Sequence, residues 1–165
     1  MWGTFYARGR GGRIFWKVFL MRGIDTTFLL AHELAEIPVH AKARELVRQS
    51  SRNGGARFAL VPQVLMEFLH VVTDPRRFQT PLPMEEAVSR AEFWWGAKEV
   101  RQIQPSAESV QLCFRWLREH RLGRKRLLDT QLAAALHQAG VHRIITQNRK
   151  DFEIFGVFQI EELAG

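Results

Sequence analysis

Four acidic residues stand where a carboxylate needs a physical explanation. Asp25 interrupts the apolar run GIDTTFLLA, at the point where a short strand is expected to turn into a helix. Glu67 stands inside the apolar helix VLMEFLHVV, where burying an unpartnered carboxylate costs several kcal/mol. Asp129 follows two leucines at the predicted first turn of a helix, and Asp151 comes soon after the predicted strand VHRIIT. These positions make all four acids candidates for chemistry.

Each acid also has an ordinary structural explanation. Asp25 and Asp129 can cap or begin helices, and Asp151 can begin a turn. These explanations weaken when the acids are taken together, because parallel strands bring their carboxyl ends to one edge of a sheet, where open α/β sheets bind ligands. Carboxylate oxygens gathered without Cys or His ligands suit Mg²⁺ or Mn²⁺. A metal site of this kind can activate water and neutralise charge during phosphodiester cleavage.

The elements that must position these acids alternate between strands and helices. Strands are predicted at MRGI, RFALV, VRQI, VHRIIT and GVFQI, with helical segments between them. Pro62, Pro83 and Pro105-Ser106 begin predicted helices, and Asn53-Gly54-Gly55 ends one. This alternation predicts an α/β sandwich around a mostly parallel sheet.

Two apolar clusters are expected to contribute to the core. The helix after Ser106 is predicted to turn one apolar stripe inward, formed by Ala107, Val110, Cys113, Phe114 and Leu117. Cys113 is therefore predicted to be an inert buried thiol. The trio Phe93-Trp94-Trp95 cannot all face one core, so we expect one exposed ring.

Composition and missing motifs narrow the function. A chain of 165 residues with 46% hydrophobic content predicts one globular domain. The chain lacks the phosphate-loop, dinucleotide-binding and H-E-x-x-H zinc motifs, and Glu67 and His70 form a single E-x-x-H pair where a di-iron bundle needs two. His70 is therefore predicted to be an ordinary helix residue. A single cysteine excludes an intramolecular disulfide framework and fits a reducing, cytoplasmic location. With no run of about 18 apolar residues, no membrane partner is expected.

Much of the net charge of +7 belongs to the first twenty residues. They carry Arg8, Arg10, Arg13 and Lys17 and no acid, which is four of the seven charges. We expect residues 1–20 to be a basic N-terminal extension, either a disordered arm or the product of a start codon assigned too far upstream. Residues 21–165 are expected to form a single domain, which contains all four acids.

Four segments in order carry a family resemblance: G-I-D-T-T-F-L-L, the helix with Glu67, L-L-D-T-Q-L-A-A-A and I-T-Q-N-R-K-D-F. Together they resemble the PIN-domain ribonucleases, and most closely the VapC-type toxins of toxin–antitoxin pairs. The resemblance spans Met21 to about Ile160. It implies a PIN-like fold, a three-layer α/β/α sandwich with a parallel sheet.

The resemblance also implies roles for the acids. By position, Asp25, Glu67 and Asp129 match the first three catalytic acids of the family. The fourth position is open between Asn148 and Asp151, and we favour Asp151 with Asn148 assisting. Asp25, Asp129 and Asp151 would bind Mg²⁺ or Mn²⁺, while Glu67 completes the ring of acids and orients the attacking water.

Supporting residues follow from the same resemblance. The hydroxyl of Thr26 is expected to support the first acid, and that of Thr146 to act similarly near the last. We also expect RNA phosphates to bind a run of cations just before Asp129, namely Arg121, Arg124, Lys125 and Arg126. A solvated charged turn is the alternative interpretation of this run.

The resemblance implies a metal-dependent endoribonuclease that acts on tRNA or other structured RNA. Such a toxin pairs with a cognate antitoxin, and we expect a homodimer. Two alternatives stay open. One is a nonhydrolytic nucleic-acid-binding module, suggested by the amide at Asn148. The other is a phosphatase-like hydrolase with Asp25 as nucleophile, which is disfavoured because Thr27 stands where such enzymes commonly have a second aspartate.

Overall fold

The computed structural model describes residues 21–52 and 57–163. The predicted extension, 1–20, and the predicted helix end at Asn53-Gly54-Gly55 lie outside the described residues, so both stay predictions. The described strands lie in one sheet: β1 (Arg22–Ile24), β2 (Phe58–Leu60), β3 (Val100–Gln102), β4 (Arg143–Ile145) and β5 (Gln159–Glu161).

Seven α-helices lie within the described residues: α1 (Thr26–Glu33), α2 (His40–Arg52), α3 (Pro62–Val72), α4 (Met84–Gly96), α5 (Ala107–Glu119), α6 (Leu127–Gln138) and α7 (Arg149–Glu153). A 3₁₀-helix, Arg124–Arg126, leads directly into α6. Among the described helices, none is long and apolar enough to cross a membrane.

The sheet has the strand order β3-β2-β1-β4-β5, and every pair of neighbouring strands is parallel. Chain order reverses between β1 and β4, where Ile24 pairs with Ile145. Ligands of open α/β sheets bind at such a switch point, outside the carboxyl ends of the strands. The predicted three-layer α/β/α architecture is confirmed, with a sheet that is entirely parallel.

Local sequence explains where three of the described helices begin. Asp25 caps α1 by accepting a hydrogen bond from the Phe28 amide, and Pro62 occupies the first position of α3. Ser106 and Ser109 form a reciprocal capping box at the start of α5. Each helix therefore starts where its residues satisfy or remove a free backbone amide.

A close approach places α6 against the centre of the sheet. A Cβ atom at Gly23 of β1 would lie 2.5 Å from the Cδ1 atom of Leu136 in α6, so a larger residue there would force the Leu136 side chain to shift. Packing of α6 on β1 carries Asp129, in the first turn of α6, toward the carboxyl end of β1. The glycine thus allows the Leu136 side chain of α6 to lie close to β1.

The prediction of one exposed ring is confirmed, but the predicted stripe of α5 is wrong at Ala107, Val110 and Phe114, while Cys113 and Leu117 do face the core. Phe93 is 72% exposed, whereas Trp94 is buried. In α5, Val110 and Phe114 are exposed, and the buried face consists of Ser109, Leu112, Cys113 and Trp116. This face is buried because Trp116 stacks on Phe155, which lies between α7 and β5, at 4.6 Å between ring centroids. The buried thiol at Cys113 is confirmed.

Candidate active site

Three of the four predicted acids line one cavity of about 320 Å³ at the carboxyl edge of the sheet. Asp25 enters between β1 and α1, Glu67 from α3, and Asp129 from the first turn of α6. Asn148, which follows β4, lines the same cavity. Residues far apart in the sequence therefore meet at the switch point of the sheet.

Asp25 is the most deeply buried of these acids, with 5% of its surface exposed. Its Oδ1 atom accepts hydrogen bonds from the Thr27 hydroxyl at 2.7 Å and the Phe28 amide at 3.1 Å, and its Oδ2 atom accepts one from the Thr146 hydroxyl at 2.7 Å. All of these donors are uncharged. Burial raises the pKa of Asp25 to about 6, although the hydrogen bonds from Thr146 and Thr27 oppose the rise.

Glu67 is half-buried in the cavity wall, and a hydroxyl holds it in place. The Thr26 hydroxyl donates to Oε2 of Glu67 at 2.5 Å. The expectation that Thr26 supports Asp25 is therefore wrong, because its side chain points across the cavity to the second acid. Thr27, which was not among the predicted site residues, donates its hydroxyl hydrogen bond to Asp25 instead. A hydroxyl two residues after a capping aspartate was the signal available for it.

Asp129 is half-buried, and its electrostatics show that the acids form one cluster. Burial raises its pKa to about 6, and the neighbouring charge of Asp151 contributes in the same direction. Glu67 and Asp25 add smaller increases, while Arg126 lowers the pKa of Asp129. The carboxylates thus interact with one another across the cavity, as like charges in one site do.

Arg126 lies among the acids rather than on the outer surface. Its Nε atom is 3.6 Å from Oδ2 of Asp129 and 3.4 Å from Oδ1 of Asp151, and its guanidinium also donates to the backbone carbonyl of Asp151. The other three cations of the predicted RNA-binding run are exposed: Arg121, Arg124 and Lys125. The run therefore divides into one cation inside the cluster and three facing solvent.

The segment after β4 connects the last predicted ligands to the first acid. Thr146 is buried, and its hydroxyl donates to Asp25. The same hydroxyl accepts a hydrogen bond from the backbone amide of Asn148 at 2.9 Å. The expectation that Thr146 supports the last acid is thus replaced by a direct bond to the first. Asn148 lines the cavity. Asp151 is connected to Asp129 by Arg126, whose guanidinium contacts both carboxylates. The choice between Asn148 and Asp151 stays a prediction.

The oxygen atoms that line the cavity suit a hard divalent cation, although their present arrangement does not form a complete coordination sphere. Within residues 21–52 and 57–163, no group of three acidic, histidine or cysteine side chains is arranged to hold a metal ion as it stands. The available donors are carboxylate and amide oxygens, which Mg²⁺ and Mn²⁺ prefer. Asp25 in particular is a buried carboxylate whose hydrogen-bond donors are neutral. The residues present fit such an ion by their chemistry.

Size alone does not identify the site. A larger cavity of about 740 Å³ lies between α2, α4 and β3 and contains none of the four predicted acids. The acidic cavity is also lined by two side chains at its rim, His70 and Arg77. His70 is exposed on α3, and Arg77 belongs to the loop after it.

Comparisons with known proteins agree with this geometry. No profile of a known protein family matches the chain. The chain is 26% identical over 140 residues to Ribonuclease VapC24 of Mycobacterium tuberculosis, covering 85% of this chain and 94% of that protein. The same similarity holds for the VapC24 of two strains.

Toxins and toxin–antitoxin complexes are among the solved structures of similar fold. The M. tuberculosis VapC20 structure, described as a sarcin–ricin loop cleaving toxin, has a TM-score of 0.60 at 19% identity and covers 82% of this chain and 95% of its own. VapBC2 from Rickettsia felis, bound to a promoter DNA fragment, has a TM-score of 0.59 at 16% identity and covers 86% and 98%. DNA-bound VapBC from Salmonella typhimurium has a TM-score of 0.59 at 15% identity and covers 88% and 100%. The resemblance of this chain to VapC-type PIN-domain proteins is confirmed.

Proposed function

We propose that this protein is a metal-dependent endoribonuclease that hydrolyses RNA phosphodiester bonds as the toxin of a toxin–antitoxin pair. The observation that carries the proposal is the convergence of Asp25, Glu67 and Asp129 in one cavity at the switch point of a parallel sheet. The similarity to a curated relative named as a ribonuclease, over most of both chains, supports it.

The acids would divide the chemistry between them. Asp25, Asp129 and Asp151 would hold Mg²⁺ or Mn²⁺, which when bound supplies water activation and neutralises charge on the phosphate. Glu67 has its Oε2 atom engaged by Thr26, which leaves Oε1 to orient the attacking water and accept its proton. Thr27 and Thr146 hold the carboxylate of Asp25 toward the cavity.

The proposed substrate is tRNA or another structured RNA. Arg121, Arg124 and Lys125 are exposed just before α6 and would neutralise phosphates beside the cavity. Arg77, at the rim of the cavity, would contact the RNA backbone closer to the scissile bond. One structural relative is described as cleaving the sarcin–ricin loop, so a structured ribosomal RNA fragment belongs in the test beside tRNA.

The proposed partner is a cognate antitoxin protein, and the proposed assembly is a homodimer in the cytoplasm. Several solved structures of this fold are complexes of a toxin with its antitoxin, which supports the first part. Co-expression with the neighbouring reading frame, followed by mass determination of the purified assembly, tests both parts. A protein that stays monomeric and alone under co-expression contradicts them.

Cleavage with and without metal tests the proposed reaction. We expect the purified protein to cut tRNA or a sarcin–ricin fragment in Mg²⁺ or Mn²⁺, and sequencing of the new RNA ends to show defined sites. EDTA should abolish cleavage, and Asp25→Asn should be inactive in the same preparation. Undiminished cleavage in excess EDTA, with metal removal verified, would contradict the metal-dependent reaction.

The same preparation separates the two alternatives. Metal-independent binding of RNA without new RNA ends would support the nonhydrolytic module. A trapped phosphoryl group on Asp25 would support the phosphatase-like hydrolase. We expect neither, because Glu67 and Asp129 share the cavity with Asp25, and neither alternative requires all three acids.

A further inference from the structure

Arg126 differs from its neighbours in the basic run by what its guanidinium touches. It lies within 3.4 Å of Oδ1 of Asp151 and within 3.6 Å of Oδ2 of Asp129. Two of the three carboxylates that would bind metal therefore already share a cation from their own chain.

The backbone of Arg126 is fixed independently of its side chain. Its amide donates to the Gly123 carbonyl at 2.9 Å, and its carbonyl accepts a hydrogen bond from the Thr130 hydroxyl at 2.6 Å. These bonds belong to the 3₁₀-helix and the first turn of α6. Moving the guanidinium away from the acids would break its hydrogen bond to the Asp151 carbonyl, but these backbone bonds at the start of the helix that carries Asp129 would remain.

The contacts between the guanidinium and the two carboxylates are suited to exchange. Both exceed ordinary hydrogen-bond length, and the Nε atom of Arg126 is buried without a hydrogen-bond partner, so neither carboxylate is firmly bound to it. A divalent cation brings twice the charge and direct coordination by the same oxygens. The arginine and the metal therefore satisfy the same carboxylates and exclude each other.

We propose that Arg126 is an internal counter-cation that holds Asp129 and Asp151 together in the metal-free protein and competes with the divalent metal for them. This inference rests on the proposed function, since it assumes that these acids bind metal. It makes Arg126 a positioning residue, unlike the three exposed cations of the same run. Its removal should have opposite effects on the two states: the metal-free protein loses stability and the metal binds more tightly.

Calorimetric titration of Mn²⁺ into four proteins tests the competition: the wild type, Arg126→Gln, Arg126→Lys and Arg124→Gln. Suppose that Arg126 contacts the carboxylates of Asp129 and Asp151 in about nine-tenths of the metal-free molecules. Arg126→Gln should then bind Mn²⁺ about 10-fold more tightly than the wild type. Its thermal midpoint should fall in EDTA and recover in Mn²⁺. Arg124→Gln removes an equal charge from the exposed part of the same turn and should change neither quantity. Arg126→Lys keeps the charge without the planar fork and should fall between the wild type and Arg126→Gln.

Equal or weaker Mn²⁺ binding by Arg126→Gln would overturn the competition. Should that variant fail to fold, Arg126→Met decides the matter, because it also removes the charge while keeping the apolar part of the side chain, and equal affinity in that variant also overturns the competition. RNA cleavage by the wild type is measured on the same samples. If the wild type binds Mn²⁺ but does not cut RNA, the proposed function alone is contradicted. If the wild type cuts RNA and Arg126→Gln has the same Mn²⁺ affinity as the wild type, only the competition is contradicted. Absence of Mn²⁺ binding in every protein contradicts both.

Discussion

Helix α1 carries a shielded carboxylate at each end, and the two have opposite surroundings. Asp25 caps the first turn and opens into the acidic cavity, whereas Glu33 is the last residue of the helix and faces α4. Burial raises the pKa of Asp25 to about 6. The pKa of Glu33 is lowered: burial would raise it, but hydrogen bonds from His32 and Trp94 and the charge of Arg90 outweigh that effect.

The partners explain the difference. Glu33 is 13% exposed, and its Oε1 atom lies 2.7 Å from Nε1 of Trp94 and 2.8 Å from Nδ1 of His32. Its Oε2 atom lies 3.4 Å from the guanidinium of Arg90. Charge and donors thus compensate its desolvation. Asp25 has only neutral donors, so its charge is left without compensation.

This contrast separates a structural acid from a functional one. A shielded carboxylate with a cation and strong donors fastens two helices together. A buried carboxylate that lacks a cation, beside other carboxylates, is a cost to stability that a bound cation can remove. Catalytic sites commonly carry such costs. Amide substitutions at the two positions should therefore have different consequences.

The largest expected effect is loss of cleavage in Asp25→Asn. An amide caps the helix about as well as a carboxylate, so the variant should fold. It cannot supply the negative oxygen that a hard cation prefers, and we expect RNA cleavage in Mg²⁺ to fall by about 10³-fold or more, as for other groups central to a reaction. Initial rates on one RNA, with circular dichroism as a check on folding, measure this. A folded variant within about 10-fold of the wild-type rate would make Asp25 a structural cap.

The next effect is a pH-dependent gain in stability in the same variant, measured in EDTA. Because its folded pKa is raised, Asp25 favours folding below its unfolded pKa of 3.8, and this contribution is lost as pH rises to about 6. Above pH 6 the wild type carries the full cost of the buried charge, roughly 3 kcal/mol at most for a shift of about two pKa units. Asp25→Asn avoids it and should unfold at higher urea concentration at pH 7.5, with the advantage shrinking toward pH 4. A stability gain of Asp25→Asn that does not change with pH would contradict a destabilising buried charge at Asp25.

Glu33→Gln should show a smaller effect of opposite sign. Its folded pKa is lowered, so Glu33 stabilises the protein above its unfolded pKa of 4.5, and the contribution disappears as pH falls through the folded pKa. The amide keeps an acceptor for Trp94 but loses the charge facing Arg90. We expect unfolding at pH 7 to become easier by about 1–2 kcal/mol, with RNA cleavage within about 2-fold of wild type. A large loss of cleavage in the folded variant would erase the distinction between the two ends of α1.

Strand and helix order and the three acids that line the cavity could be predicted from the sequence because both depend on local pattern. Short segments rich in apolar residues identify most of the strands, and a carboxylate inside an apolar segment stands out. The junction at Asp25 and the proline that begins α3 follow from short-range capping chemistry. The basic extension remains a prediction, since it lies outside the described residues.

Side-chain direction could not be predicted, because it depends on contacts distant in sequence. Thr26 and Thr27 are adjacent hydroxyls, and only the position of α3 decides which one reaches Glu67. Arg126 looked like part of a uniform basic run until α7, 25 residues later, brought Asp151 beside it. The buried face of α5 likewise depends on stacking of Trp116 against Phe155.

The smallest expected effect concerns Thr26, which connects the functional end of α1 to Glu67. Thr26→Val preserves shape but removes the hydroxyl that donates to Oε2 of Glu67 at 2.5 Å. Outer hydrogen-bond partners of this kind typically contribute about 10- to 100-fold, and we expect the low end here because Glu67 is half-buried and retains water as a donor. Cleavage in Mg²⁺ should fall by about 10-fold while Mn²⁺ affinity stays within about 2-fold, since the Thr26 hydroxyl donates to Glu67 and not to a proposed metal ligand. Thr26→Ser restores the hydroxyl and should recover most of the rate. If Thr26→Ser is as slow as Thr26→Val, the methyl group rather than the hydrogen bond matters, and Thr26 belongs with the packing of α1 against α3 and not with the catalytic acids.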